Sequence, residues 1–410
     1  MTPYFTDGQR TIYHGDAWAL ATELPAASVD CIITSPPYWG LRDYKTPGQF
    51  GLEKHPQEWI ERLVDLFLRL RPALKPTATI WVNLGDTYFS QGGSRRDGDD
   101  ASQRGLGLAR GAGLFRQGRQ ADGFWLRPKQ LLLLPSRCAI AMQDAGFLLR
   151  NDMIWHKRNA MPSPVRDRLS CTYEHVFLFA LQERYYFDLE AVREPHAPQS
   201  IKRGKYGYEP VKGDEASHYG KGFMRNDGQP VIWNPSGRHP GDVREWATQP
   251  FPELHFATFP EALPDFCLRA GCPTEVCEQC GKAKVRHLKS IPNPAGIMGL
   301  HNMRHAQDFN PEAKGKHLEP ANRETLGWSP TCSCSAPFVP GLVLDPFLGS
   351  GTVLAVAKRR GLRGIGFELS PDYCAMAVRR IEAAGKAPEF VAAERAGQAV
   401  LPLGEALEEA

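Results

Sequence analysis

The stretch Asp30-Cys31-Ile32-Ile33-Thr34-Ser35-Pro36-Pro37-Tyr38-Trp39 gathers residue types that could do chemistry at one point. A β-branched apolar run, as a buried parallel strand requires, leads straight into a Ser-Pro-Pro-aromatic turn. That turn falls at the carboxyl end of the strand, where open α/β sheets bind their ligands. Two prolines fix the backbone, so that the Pro36 carbonyl holds one direction. An exocyclic amine has two hydrogens to donate, and the Ser35 oxygen and the Pro36 carbonyl are two acceptors. Tyr38 offers a flat face to a base drawn out of the stack. The bland alternative is a rigid strand-to-loop corner with an incidental aromatic.

A second constellation is Leu342-Val343-Leu344-Asp345-Pro346-Phe347-Leu348-Gly349-Ser350-Gly351-Thr352. A short strand, a glycine-rich turn and a helix follow one another, which lets backbone approach a nucleotide-like ligand. Glu368 ends the next strand, Ile365-Gly366-Phe367-Glu368, where it can hold ribose hydroxyls. No Gly-Lys-Ser/Thr is present, which disfavours a phosphate-gripping loop. Leu354 stands where a dinucleotide fingerprint has its third glycine, which weakens an NAD reading.

Cys277-Glu278-Gln279-Cys280 followed by Gly281, with Cys332-Ser333-Cys334, offers four thiolates suited to tetrahedral zinc. The intervening stretch is long for a compact ribbon, and four reduced thiols in a surface insertion is the alternative. His287, His301, His305 and His317 read as solvated.

The elements that must position these groups alternate as strand and helix. Val29 to Thr34 and Thr79 to Leu84 read as strands around a helix from Glu58 to Leu74, the unit of a parallel sheet. A helix through Leu131 to Ala145 and strands at Phe147 to Trp155 and His175 to Ala180 follow. After a helix at Leu263 to Leu268, the chain runs Leu342 to Asp345 (strand), Val353 to Arg360 (helix), Gly364 to Glu368 (strand) and Tyr373 to Ala384 (helix). The domain reading is a catalytic half over 1–195 with a mobile loop at 92–123, a loop-rich insertion at 196–250, and a second half at 251–270 and 338–390. A cysteine-bearing insertion occupies 271–337 and an acidic tail 391–410.

The net charge of +3 is mild, and no apolar run is long enough to span a bilayer. The N-terminus lacks the apolar core of a secretory signal, so cytoplasmic residence with reduced or metal-bound cysteines is expected. Basic residues nevertheless cluster, as Lys202, Arg203, Lys205, Lys212, Lys221 and Arg225 do among Tyr206, Tyr208, Tyr219 and Phe223. Such clusters suit a phosphate backbone, the bland reading being a solvated decoration.

With the tetrad first and the Asp-Pro-Phe-x-Gly-Ser-Gly-Thr loop late, the chain resembles the β class of amino-methylating DNA methyltransferases. The resemblance covers nearly all of residues 11–195 and 250–385. Arg150 to Lys157, Pro162-Ser163-Pro164 and Tyr173-Glu174-His175 are similar to the family's region beside the target base. The resemblance implies a class I, Rossmann-like fold: a seven-stranded, mostly parallel sheet with helices on both faces and a circularly permuted motif order. It implies S-adenosylmethionine as cofactor, held by Asp16, Thr34, Phe256, Asp345, Phe347, Gly349, Ser350, Gly351, Thr352 and Glu368. Ser35, Pro36, Pro37 and Tyr38 would be the catalytic tetrad. Double-stranded DNA would meet Lys157, Arg158, Lys202, Arg203, Lys205 and Arg225, and a homodimer is admitted. The nitrogen would attack the methyl group in line, with no covalent enzyme intermediate, so Cys31 is read as a buried hydrophobe. Ser followed by Tyr-Trp looks like the cytosine-N4 enzymes. An adenine-N6 enzyme of the same fold is the nearest rival, ahead of a protein-glutamine methyltransferase and a non-catalytic DNA-binding protein.

Overall fold

The computed structural model describes residues 1–44, 46–89, 126–160, 163–196, 237–249, 259–291 and 322–385. The loop at 92–123, most of the 196–250 insertion, the acidic tail, Phe256, Lys202, Arg203, Lys205 and Arg225 lie outside the described residues. The chain divides into two units. One comprises Met1–Asp188, Gly241–Lys284 and Pro330–Val391, the other Leu189–Pro240, Val285–Ser329 and Ala392–Ala410.

Along the chain the elements are β1 (Phe5–Thr6), β2 (Arg10–His14), α1 (Ala17–Ala21), β3 (Val29–Thr34), α2 (Pro56–Leu70), β4 (Leu74–Leu84), α3 (Leu134–Asp144), β5 (Leu148–Lys157) and β6 (Tyr173–Ala180). Then come β7 (Val243–Trp246), α4 (Ala262–Gly271), β8 (Glu275–Cys277), β9 (Val285–Ile291), β10 (Asn322–Ser329), β11 (Phe338–Pro340), β12 (Leu342–Asp345), α5 (Thr352–Arg359), β13 (Arg363–Glu368) and α6 (Pro371–Ala383).

The first unit is built on a sheet ordered β1-β2-β13-β12-β3-β4-β6-β5-β7. From β2 through β4 every pairing is parallel. Strand β6 runs against both β4 and β5, and β1 runs against β2. Among the described residues the sheet therefore has nine strands where seven were expected. The two extra strands are its edges, the two-residue β1 and the four-residue β7, which pairs through Ile154 opposite Val243. Neither is long enough to show a hydrophobic period in sequence.

Burial explains the central strands. All six residues of β3 are buried, and β4 is buried from Ala78 onward. Strand β4 begins earlier than its apolar run suggests, with Pro76 inside it. A register shift against β3 accommodates this residue, which has no N–H for the ladder. Helix α2 starts at Pro56 behind His55, whose Nδ1 accepts from Gln57 N at 3.1 Å. Its apolar face, with Trp59, Ile60, Leu63, Leu66, Phe67 and Leu70, is buried and packs on α1 and α3. Helix α5 packs on α4 and α6.

The path of the chain creates a crevice. Strand β3 crosses through α2 to β4 on one side, while β12 crosses through α5 to β13 on the other. Between the carboxyl ends of β3 and β12 the strand order reverses, which is where doubly wound sheets bind ligands. Beneath it, Asp30 ties three strands together. Its Oδ1 takes the buried Lys75 ammonium at 2.7 Å, and its Oδ2 takes Leu342 N at 2.9 Å. Among the described residues no helix is long and apolar enough to cross a membrane.

In the second unit β9 and β10 form an antiparallel hairpin in which Val285 pairs with Ser329. Glu194 and Arg238 bridge through both backbones and an ion pair of 2.6 Å.

Candidate active site

A cavity of about 380 Å³ opens at the crevice, walled by Ser35 to Tyr38 on one side and Asp345 to Ser350 on the other. Asp16, Trp18, Asn83, Lys157, Glu174, Thr352 and Glu368 complete its polar and aromatic lining. The two constellations, some three hundred residues apart in sequence, thus share one site. Thr34 Oγ1 donates to Asp345 Oδ1 at 2.8 Å and stitches the ends of β3 and β12 together.

On the tetrad side the turn is locked by its neighbours. Trp59 Nε1 of α2 donates to the Pro37 carbonyl at 3.0 Å, while no donor among the described residues takes the Pro36 carbonyl. The Tyr38 ring lies against Gly85, where a Cβ would stand 2.7 Å from Tyr38 Cε2. Its hydroxyl donates to Glu174 Oε2 at 2.7 Å. Asn83 Nδ2 reaches Tyr38 Oη at 2.9 Å, Glu174 Oε2 at 2.7 Å and Ser35 Oγ at 3.3 Å. Lys157 Nζ holds the other oxygen of Glu174 at 2.5 Å and sits over the Trp155 ring. Burial, and then the charge of Glu174, push the Tyr38 phenol well above its ordinary range, so it stays a neutral hydroxyl.

On the other side Gly349 takes φ +52°, a left-handed conformation that disfavours a side chain, and a Cβ there would lie 4.0 Å from the Phe347 carbonyl oxygen. Its N–H donates to Glu368 Oε2 at 2.8 Å, and Ser370 N donates to Glu368 Oε1 at 2.8 Å. Gly351, at φ +81°, caps α5 where a Cβ would press to 2.9 Å from Ala377. Burial holds the Asp345 carboxyl up at about 7, and burial also raises Glu368. Asp16 caps α1, accepting from Trp18 N at 2.7 Å. Phe347 stacks on Phe50, with ring centroids 5.6 Å apart, and Trp18 meets both rings edge-on or tilted.

Most of the expected site residues therefore converge. Ser350 and Thr352 reach the cavity, but their hydroxyls are engaged by Arg380 Nη1 at 3.0 and 2.8 Å. Lys157 lines the base side of the cavity, while Arg158 is exposed next to it. Asn83, Trp18, Phe50, Tyr44 and Tyr373 were not singled out from sequence. A lone amide inside the apolar strand Trp81-Val82-Asn83-Leu84 was the signal available for Asn83. Cys31 is fully buried in β3, as a small hydrophobe would be.

Away from the cavity, Cys277, Cys280, Cys332 and Cys334 bring their sulfurs within 4.8 Å of one another. Phe338 pairs with Cys277, joining β11 to β8, and Gly281 N donates to the Cys277 carbonyl at 2.8 Å in a knuckle turn. The Cys280 backbone N–H holds the Cys277 thiol down at about 7, while hydrogen bonding to Cys280 pushes Cys334 up to about 12. Cys277 is thus the readiest of the four to ionise, and a divalent cation would favour the thiolate at each sulfur.

Paired loops at the switch point of a doubly wound sheet form a ligand-binding fold. The solved structure titled "PvuII DNA methyltransferase (cytosine-N4-specific)" shares it, with a TM-score of 0.50 at 17% identity over 97% of this chain and 96% of that one. The DNA methylase family that groups N6- and N4-directed enzymes matches residues 29–275 and 334–379, and this chain belongs to it. Type II methyltransferase M.SmaI of Serratia marcescens is 30% identical over 368 residues, 90% of this chain and 89% of that protein. Type II methyltransferase M.Cfr9I of Citrobacter freundii is 31% identical over 373 residues, 91% and 87% respectively.

Proposed function

We propose that this DNA methyltransferase transfers a methyl group to N4 of cytosine at a specific site in duplex DNA, with S-adenosylmethionine as donor. The observation that carries the reading is the shared cavity, which sets two acceptors, Ser35 Oγ and the untaken Pro36 carbonyl, opposite the glycine loop. An amine held by both acceptors presents its nitrogen toward the second half of the cavity. Tyr38 provides the stacking face for an extruded base. S-adenosylmethionine supplies an electrophilic methyl group when bound.

The residues present fit that donor. Asp345 and Glu368 are carboxyls that burial raises, and the cationic sulfonium and ammonium groups of the donor would favour their ionised forms. Glu368 and Asp16 would hold its hydroxyls and adenine, and Phe347 its ring, beside the left-handed turn at Gly349. Arg158, with Lys202, Arg203, Lys205 and Arg225, would meet phosphates. Serine at the head of the tetrad favours cytosine N4 over adenine N6, and the PvuII enzyme that shares the fold is cytosine-N4-specific.

Single-molecule sequencing of DNA from cells making the protein reports base and site together. The expected product is N4-methylcytosine at one short sequence. N6-methyladenine would reassign the amine, and unmodified DNA would end the reading.

We further assign the four cysteines to structural zinc. Tetrahedral Zn–S bonds of about 2.3 Å place sulfurs about 3.8 Å apart, within the spread of this cluster. Purified protein should carry about one zinc per chain. Cys277→Ser and Cys332→Ser should each release it and lower the melting temperature, with cofactor affinity retained. Metal analysis that finds no zinc in protein prepared without chelators would remove this assignment.

A further inference from the structure

We propose that Glu174 is the terminal proton acceptor of the reaction, reached from the target amine through the hydroxyls of Ser35 and Tyr38. This rests on the amino-methylation reading above and adds a residue to it. A nitrogen that gains a bond to methyl must break one N–H bond, and a serine hydroxyl cannot keep that proton. It needs somewhere to pass it.

The hydrogen bonds already run in the required direction. Ser35 Oγ donates to Tyr38 Oη at 3.4 Å, and Tyr38 Oη donates to Glu174 Oε2 at 2.7 Å. Ser35 thus turns its own hydrogen away from the amine and leaves an oxygen lone pair toward it. In the step proposed, the amine proton bonds to Ser35 Oγ, the serine proton moves to Tyr38 Oη, and the tyrosine proton moves to Glu174 Oε2. Both hydroxyls end with one proton each, and Glu174 ends as a carboxylic acid. No other reactant is needed.

The surroundings of Glu174 suit an acceptor that must begin charged. Lys157 from β5 binds its Oε1 at 2.5 Å, and Asn83 from β4 donates to its Oε2 at 2.7 Å. The Arg42 guanidinium also faces it and Tyr38 electrostatically. Asn83 Nδ2 also lies within reach of both hydroxyl oxygens, at 3.3 and 2.9 Å, so its two N–H groups are shared among Ser35, Tyr38 and Glu174. Every polar atom of the route is thus fixed before a base arrives.

The test compares Glu174→Gln, Tyr38→Phe and the double variant. Tyr38→Phe removes one oxygen and keeps the ring on Gly85. Two measurements are made: single-turnover methyl transfer, and target-base extrusion without cofactor. Extrusion is followed by 2-aminopurine fluorescence in a duplex carrying the methylation site. Each single variant should transfer methyl about 100-fold more slowly. The double variant should be no slower than the slower single, because both cut the same chain. The 2-aminopurine signal should match the parent.

Parent-like rates in either single variant overturn the proposal. So do multiplicative losses in the double variant, or a lost extrusion signal, which would make Glu174 and the hydroxyl structural props. All of these leave the proposed function standing. Failure of the parent itself to methylate DNA would instead strike that function.

Discussion

Tyr38→Ala should transfer methyl at least about 1,000-fold more slowly than the parent while binding duplex DNA almost normally at low salt. Loss of a base–aromatic stack costs about 1–3 kcal/mol. Displacing a reacting atom by an ångström costs a further ~100-fold. Both penalties apply here, because the ring on Gly85 forms the base side of the cavity and its hydroxyl holds Glu174 and Asn83 in place. Duplex affinity should survive, since phosphate contacts made elsewhere supply most of it. Substitutions among Lys202, Arg203, Lys205 and Arg225 should do the reverse, weakening DNA binding and flattening its salt dependence. Single-turnover transfer from labelled cofactor and a low-salt shift assay separate the two outcomes. If Tyr38→Ala methylated at the parent rate, the tetrad would be only a rigid corner of the chain.

Asp345→Asn should make the cofactor-free protein more stable than the parent above pH 7, by up to about 4 kcal/mol. Burial is the main cause, opposed by hydrogen bonds from Thr34 and the Phe347 N–H and reinforced by the charge of Glu368. The result is a carboxyl at about 7 against an ordinary 3.8. A carboxyl raised in this way takes up a proton on folding. Its contribution is fully present below the unfolded value, is lost as pH rises from about 4 to about 7, and stays lost above that. The amide cannot ionise, so the stability difference between variant and parent should grow across that interval and then level off. Denaturant titrations from pH 5 to 8.5 measure it. The same substitution should weaken S-adenosylmethionine binding, because a cationic ligand favours the ionised carboxylate, and should flatten the pH dependence of that binding. A stability difference that ignores pH would mean that Asp345 stays ionised in the resting cavity.

Much of this molecule is written locally. Strand β3 is a run of six buried residues ending in Ser-Pro-Pro-Tyr, and β12 is a four-residue apolar strand ending in Asp-Pro-Phe. Strand period, proline and glycine each constrain only their immediate neighbours, so both motifs and the elements that carry them can be read without a structure. The amphipathic spacing of α2 is legible for the same reason. The cysteine pairs identify ligand types in the same way.

Tertiary structure decided which of these segments meet. Val343 lies beside Cys31, and that pairing joins the two halves of the cavity. Nothing near either strand specifies it, because sheet order follows from the burial of whole faces and the handedness of crossovers. Strands β1 and β7 are too short to carry a period, so a nine-stranded sheet emerges only when neighbouring backbones complete their hydrogen bonds. Glu174 is the second residue of β6, inside the Tyr173-Glu174-His175 segment that resembles the family's base-side region, and Asn83 is one amide among hydrophobic neighbours. Their placement around Tyr38 and Lys157 exists only because β6 runs antiparallel between β4 and β5, which brings Asn83, Glu174 and Lys157 to the same end of the sheet.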